Sequence, residues 1–273
     1  MISARKIAGA LGAQIEGVDL SKPLPKKELG EIRRLWLEHL VIFFRNQDLK
    51  EKQYMAFAEQ FGEPIEYPLV KGIAGFPKII EVKKLEHERV AFGGIWHTDT
   101  AYLERPPMAS MLLAREVPPH GGDTLFANMY LAFESLSPGL QKLLQGLQAV
   151  NSSTKADASK TREDVIKASG KKSKHFVAEH PVVRTHPETG RKALYVNSGH
   201  TVRFEGWTEE ESAPLLKFLF DFQTKPEFTC RFSWQPGSIA LWDNRCAQHN
   251  PVNDYHGYRR VMLRITLAGD TPR

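Results

Sequence analysis

Near the end of the chain eight residues alternate with a strict period of two: Val261, Leu263, Ile265 and Leu267 on one side, Arg260, Met262, Arg264 and Thr266 on the other. Successive side chains of a β-strand point to opposite faces, so this segment reads as a strand with one uniformly apolar face. Such a face belongs against another layer, which commits this part of the chain to a packed sheet. The other face carries two arginines pointing the same way. Two readings fit it: a solvated surface, or an interior lined to receive anions, because a guanidinium grips a carboxylate or sulfonate through two parallel hydrogen bonds.

Strand character recurs at 41–45, 78–82, 108–114, 193–197, 229–234, 238–242 and 259–267, with turns such as Pro118-Pro119-His120-Gly121-Gly122 and Gln235-Pro236-Gly237 between runs. Four amphipathic helices are expected. Leu29, Ile32, Trp36 and Leu40 recur at helical spacing over 26–40, and Tyr54, Phe57, Ala58 and Phe61 do so before Gly62. Ser137 with Pro138 opens a third helix, and Thr208 with Glu211 forms a capping box for a fourth. Scattered strands with helices outside predict a mainly β fold with α, a sandwich or barrel in a helical coat. No internal repeat or linker divides the chain, so 1–273 reads as a single domain.

The 273 residues, 41% hydrophobic and 25% charged, suffice to bury a substantial core. Apolar runs such as 40–44 fall far short of the ~20 residues that span a bilayer, and no signal-peptide core follows residues 1–6, so neither membrane insertion nor secretion is expected. Cys230 and Cys246 are the only cysteines, too few for a disulfide framework or a thiolate zinc cage, and a cytoplasmic location fits. The net charge of +5 is concentrated in 151–175, where Lys155, Lys160, Arg162, Lys167, Lys171, Lys172 and Lys174 face only Asp157, Glu163 and Asp164. That stretch has no aromatic residue on which bases could stack, which argues against nucleic acid as a partner. Its length and polarity mark it as a lid or a mobile insertion. Self-association into a homo-oligomer is left open.

The chemistry centres on His97-Thr98-Asp99 and His249. Residues two apart on an extended segment project to the same side, so His97 and Asp99 can converge on one point while Thr98 turns away. His249 follows the strand at 238–242 and precedes the arginine strand, and the connection between them can bring it to the same mouth. Two neutral imidazoles and one carboxylate are the ligand set of non-haem Fe(II) oxygenases, which leaves three adjacent metal positions open. Oxygen and nitrogen donors favour iron or manganese here. The same three residues also suit a zinc hydrolase, and the arginines alone suit a non-catalytic binding module.

Trp96-His97-Thr98-Asp99, Gly121-Gly122-Asp123-Thr124, Trp242-Asp243-Asn244-Arg245 with Gln248-His249, and Arg259-Arg260-Val261-Met262-Leu263-Arg264 with Gly269-Asp270 stand in this order along the chain. Together they resemble the TauD/TfdA family of Fe(II)- and 2-oxoglutarate-dependent dioxygenases. The resemblance implies a double-stranded β-helix (jelly roll) core flanked by helices, with His97, Asp99 and His249 as iron ligands. It implies that Thr124 and Arg260 hold the distal carboxylate of the cosubstrate 2-oxoglutarate. Arg264 would lie near the inner carboxylate or the anionic end of the substrate. Molecular oxygen would be consumed, and 2-oxoglutarate would leave as succinate and carbon dioxide.

Three pocket positions depart from the taurine pattern. Tyr67 stands where taurine enzymes carry a histidine before the proline, Gly93 where an asparagine precedes the His-x-Asp motif, and His200 where a phenylalanine is usual. A small anionic organic substrate larger or flatter than taurine is therefore expected: a sulfonate, a sulfate ester, or an aryloxy or alkyl carboxylate. Trp242 and Cys246 read as core residues, and His120 and His180, beside prolines, as loop residues.

Overall fold

The computed structural model describes residues 2–155 and 175–273. In chain order the elements are β1 (Ser3–Lys6), β2 (Ala13–Glu16), α1 (Lys26–His39), β3 (Val41–Phe44), α2 (Glu51–Glu59), β4 (Pro64–Ile65), β5 (Ile79–Lys84) and β6 (Ala109–Glu116). β7 (Thr124–Asn128), α3 (Met129–Glu134), α4 (Pro138–Leu144), β8 (Gln148–Ser152), β9 (Val177–Pro181), β10 (Val183–Thr185), β11 (Lys192–Leu194) and β12 (Thr201–Phe204) follow. The chain closes with α5 (Glu209–Gln223), β13 (Thr229–Phe232), β14 (Ile239–Asp243), β15 (Ala247–Pro251) and β16 (Arg260–Leu267).

The large sheet runs β1-β2-β3-β14-β6-β16-β4, with β5 also paired to β16. Both of its faces are covered. Ile42, Phe44, Met111, Leu113, Ile239, Leu241, Leu263, Ile265 and Leu267 pack beneath Ile32, Trp36, Tyr54 and Phe57 of α1 and α2. Burying each such side chain contributes ~1.5–3 kcal/mol. The opposite face brings Val41, Phe43, Ala240, Trp242 and Met262 against a second, three-stranded sheet, β13-β7-β15. Phe43 stacks on Phe232 with ring centroids 3.9 Å apart and meets Phe126 edge-on at 5.6 Å.

This layering decides the question left open by the period-two strand. The face of β16 bearing Arg260 and Arg264 points between the two sheets, and each arginine is only 5% exposed. The interior reading holds.

Local signals place most of the helices. The Thr208 hydroxyl accepts from the Glu211 N–H at 3.2 Å while the Glu211 carboxylate accepts from the Thr208 N–H at 2.8 Å, the reciprocal box expected for α5. Ser137 caps α4 with Pro138 behind it, and of its leucines Leu144 is buried while Leu143 is 48% exposed. α1 stops one residue early because Leu40 turns left-handed (φ 63°) and feeds directly into β3. The strand expected at 193–197 is shifted to β11. α3, capped by Asn128, and the strands β1, β2, β4, β7, β8, β9, β10, β12 and β15 have no counterpart among the expected elements. His180, read as a loop residue, lies buried in β9. Of the candidate lid at 151–175, Asn151 and Ser152 finish β8, and 156–174 lies outside the described residues.

Candidate active site

His249 sits in β15, itself a strand rather than the connection anticipated from the sequence. One edge of β15 pairs with β7, placing His249 opposite Phe126. On its other side His249 forms an isolated antiparallel bridge with His97. The two rings lie 4.2 Å apart, and Asp99 Oδ1 is 3.6 Å from His97 Nε2. One ligand atom from each of His97, Asp99 and His249 falls within 4.8 Å of the others, and all three residues are buried. His97 Nδ1 lies 2.7 Å from the Ile95 carbonyl, which accepts its proton, so Nε2 keeps its lone pair for a metal.

Two glycines frame that ring. A Cβ on Gly199 would fall 2.9 Å from His97 Cβ, and one on Gly93 would fall 3.2 Å from His97 Cε1. Gly93 also holds φ at 74°, where a side chain is strained. The glycine at 93 therefore opens the space beside the prospective metal position.

Electrostatics prepares the same groups. Burial opposes ionisation of Asp99, yet the Arg264 guanidinium, with Nη1 3.2 Å from Oδ1, holds the carboxyl well below the usual carboxylate range. Burial, reinforced by neighbouring His97, keeps His249 neutral and so able to ligate.

A cavity enclosing about 440 Å³ of empty space, including its open mouth, is lined by His97, His249, Gly93, Thr124, Arg260 and Arg264 among others. Arg260 donates through Nε to the Gly122 carbonyl at 3.2 Å, while its Nη2 and the Nε and Nη2 of Arg264 are buried without a hydrogen-bond partner. Buried guanidinium donors left open are costly, and a bound anion relieves that cost. Thr124 Oγ1 accepts from the Trp234 indole N–H at 3.0 Å. An indole N–H only donates, so the threonine proton is free to point at a ligand. Their Cα positions lie ~13 Å apart along the strand, and both side chains line this one cavity.

The family model for taurine catabolism dioxygenase TauD, TfdA family matches residues 3–266. The chain belongs to the TauD/TfdA family. It is 37% identical to the alkylsulfatase of Acinetobacter baylyi, over 98% of this chain and 86% of that protein. It is 35% identical to an alpha-ketoglutarate-dependent sulfate ester dioxygenase of Pseudomonas putida, over 99% of this chain and 91% of that one. A solved taurine dioxygenase from Burkholderia xenovorans superposes with a TM-score of 0.85 at 36% identity, covering 99% of this chain and 92% of that chain. TauD/TfdA dioxygenases employ Fe(II), 2-oxoglutarate and oxygen. The donor set fits that iron, since two imidazoles and an ionised carboxylate converge. The open guanidinium donors and the Thr124 hydroxyl fit a dicarboxylate.

Other residues singled out from the sequence take different places. Tyr67 lies under Arg264, 4.7 Å from ring centroid to guanidinium, and His200 stands edge-on to His97 at 5.9 Å and to Tyr102 at 4.9 Å. Neither lines this cavity. A second buried group, His186, Asp243 and Cys246, also has ligand atoms in close reach of one another. Its carboxylate is already committed: Arg245 donates to both Asp243 oxygens at 2.8 and 2.7 Å, and His186 Nε2 lies 3.0 Å away. Burial pushes the Cys246 thiol well up. The group is a clamp, extended through Glu188 to Arg33, that fixes the turn from β14 into β15 and with it His249. Ser110 in β6 and Trp234 just after β13, both hydrogen-bonded to residues of the site, went unnoticed in the sequence because a lone serine or tryptophan beside apolar residues carries no local signal.

Proposed function

We propose that the protein is a single-domain Fe(II)- and 2-oxoglutarate-dependent dioxygenase that oxidises a small anionic organic molecule, with its two main sheets forming the double-stranded β-helix of the family. The supporting observation is the meeting of His97, Asp99 and His249 beside a cavity lined by Arg260 and Arg264, whose guanidinium groups carry buried donors without partners. His97 Nε2, an Asp99 oxygen and a His249 nitrogen would hold the iron. Arg260 and Thr124 would hold the distal carboxylate of 2-oxoglutarate, and Arg264 its inner carboxylate or the substrate's anionic group. When bound, iron and the keto acid supply the oxidising chemistry. The protein supplies orientation and a dry wall.

Sulfate esters, sulfonates and aryloxy or alkyl carboxylates are the substrate classes favoured, with sulfate esters first, given the two relatives named above. The open space at Gly93 suits a molecule larger or flatter than taurine; Tyr67 and His200, which do not line the cavity, would act on it only by supporting Arg264 and His97. For an alkyl sulfate, hydroxylation at the carbon bearing the ester oxygen yields a hydroxy ester that collapses to an aldehyde and hydrogensulfate. One oxygen atom enters that product and the other enters succinate, with carbon dioxide released. Two buried, unpaired cysteines suit a reducing, cytoplasmic setting, and no described helix is long and apolar enough to cross a membrane.

Anaerobic addition of Fe(II) and 2-oxoglutarate should develop a weak visible charge-transfer band that Asp99→Ala abolishes. A screen of sulfates, sulfonates and aryloxy acids for substrate-stimulated succinate then reads the substrate class. A folded protein that binds Fe(II) yet gives no band, or turnover that proceeds without oxygen, overturns the proposal in favour of a hydrolase.

A further inference from the structure

We propose that Trp242, Asn244 and Ser110 form a polarised hydrogen-bond relay that holds Asp99 to a single ligating oxygen, so that the protein occupies three metal positions and no more; this rests on the reading of Asp99 as an iron ligand. Trp242 Nε1 donates to Asn244 Oδ1 at 2.9 Å, Asn244 Nδ2 donates to Ser110 Oγ at 3.1 Å, and Ser110 Oγ donates to Asp99 Oδ2 at 2.5 Å. All four residues are buried, none more than 2% exposed.

The direction of the relay follows from its ends. An indole N–H can only donate, and an ionised carboxylate can only accept. Ser110 has one proton, and with it directed at Asp99 the hydroxyl oxygen must accept, which fixes the amide of Asn244 with its NH2 toward Ser110 and its oxygen toward Trp242. Every donor points toward Asp99. Trp242 and Ser110 are cross-strand partners in β14 and β6, so the register of the large sheet builds the relay. The Trp242 ring also lies 4.7 Å from the His249 ring, so the far end of the relay packs against another member of the triad.

The two oxygens of Asp99 are thereby distinguished. Oδ1 faces His97 Nε2 at 3.6 Å and pairs with Arg264 Nη1 at 3.2 Å, two neighbours that its two lone pairs can serve together, whereas Oδ2 takes the short hydrogen bond from Ser110. An unrestrained carboxylate can bind a cation through both oxygens. With His97, Asp99 and His249 each giving one atom, a six-coordinate iron would have room left for the keto acid and oxygen. A second oxygen from Asp99 would compete with the keto acid. Ser110 is thus a positioning residue, acting through Asp99 on the chelation of 2-oxoglutarate.

The test is an anaerobic titration of Fe(II)-loaded full-length protein with 2-oxoglutarate, read by the charge-transfer band, for wild type, Ser110→Ala and Asn244→Ala. Thermal melts of each variant check folding. Ser110→Ala should raise the half-saturating 2-oxoglutarate concentration by ~10-fold, the scale of a lost partner to a metal ligand, and Asn244→Ala should move it the same way by a smaller factor. A purely structural role would lower the melting temperature and leave the titration at the wild-type position, which overturns the relay. An unshifted Asn244→Ala overturns it also, by reducing it to one hydroxyl. Failure of the wild type to give a band counts instead against the iron-ligand assignment of Asp99.

Discussion

His97 and His249 exchange both backbone hydrogen bonds, N to O at 3.0 Å in each direction, although one lies in the first half of the chain and the other near its end. Such a pair holds two side chains on the same side of a ladder. The histidine spacing is therefore set by strand register, and a slip of one residue would turn the His249 ring to the other face. The candidate metal site inherits the rigidity of the sheet.

Gly93→Ala should damage that site selectively. The new methyl would lie 3.2 Å from His97 Cε1, and the backbone would keep φ near 74°. The strain costs ~1 kcal/mol or more, and the crowded imidazole should bind Mn(II) more weakly. Manganese titration followed by electron paramagnetic resonance measures the loss; wild-type affinity would show that the ring is free to move aside.

Arg260→Ala should separate cosubstrate binding from metal binding. Removing a charge-assisted clamp on a carboxylate should raise the KM for 2-oxoglutarate by ~100-fold, equivalent to ~2.7 kcal/mol. Mn(II) affinity should stay close to wild type because no ligand is touched. Equal loss of both would contradict the distal-carboxylate role.

Arg245→Leu should destabilise the fold. Asp243 is 1% exposed, and although burial opposes its ionisation, Arg245 holds it far below the usual carboxylate range. Taking away the partner of a buried charge costs ~3–5 kcal/mol. Chemical denaturation at neutral pH should reveal a drop of that order. A drop within ~0.5 kcal/mol, the scale of an ordinary surface substitution, would mean that His186 and water compensate.

Mild acid should weaken the protein through His180. Burial lowers its pKa, only partly offset by the Leu103 carbonyl that accepts from Nε2 at 2.9 Å. With the folded pKa below the unfolded value of ~6.5, the unfolded chain binds more protons between the two, so stability falls as pH drops below ~6.5 and levels off beneath the folded pKa. The slope from this one group is at most ~1.4 kcal/mol per pH unit. Urea melts of wild type and His180→Gln between pH 7.5 and 5 should show the flatter profile in the variant; parallel profiles would remove His180 from the account.

The legible parts of the fold share a property: their signals lie within a few residues of one another. The period-two run of β16 and the Thr208 and Glu211 box of α5 are of this kind, and both appear where expected. β7 and β15 escaped notice for the opposite reason. Their sequences, Thr-Leu-Phe-Ala-Asn and Ala-Gln-His-Asn-Pro, are buried mostly on both sides and carry polar groups that serve the site, so no alternation marks them.

Taken alone, the sequence determined which residue types are present for chemistry and which faces are apolar, because side-chain alternation and capping act over a single turn or a few strand residues. The tertiary structure decided that Arg260 and Arg264 face inward, that His249 meets His97 and Asp99, and that Ser110 reaches the carboxylate. Those outcomes depend on register and sheet packing between segments far apart in the chain, where many weak contacts must agree before any one side chain has a fixed partner.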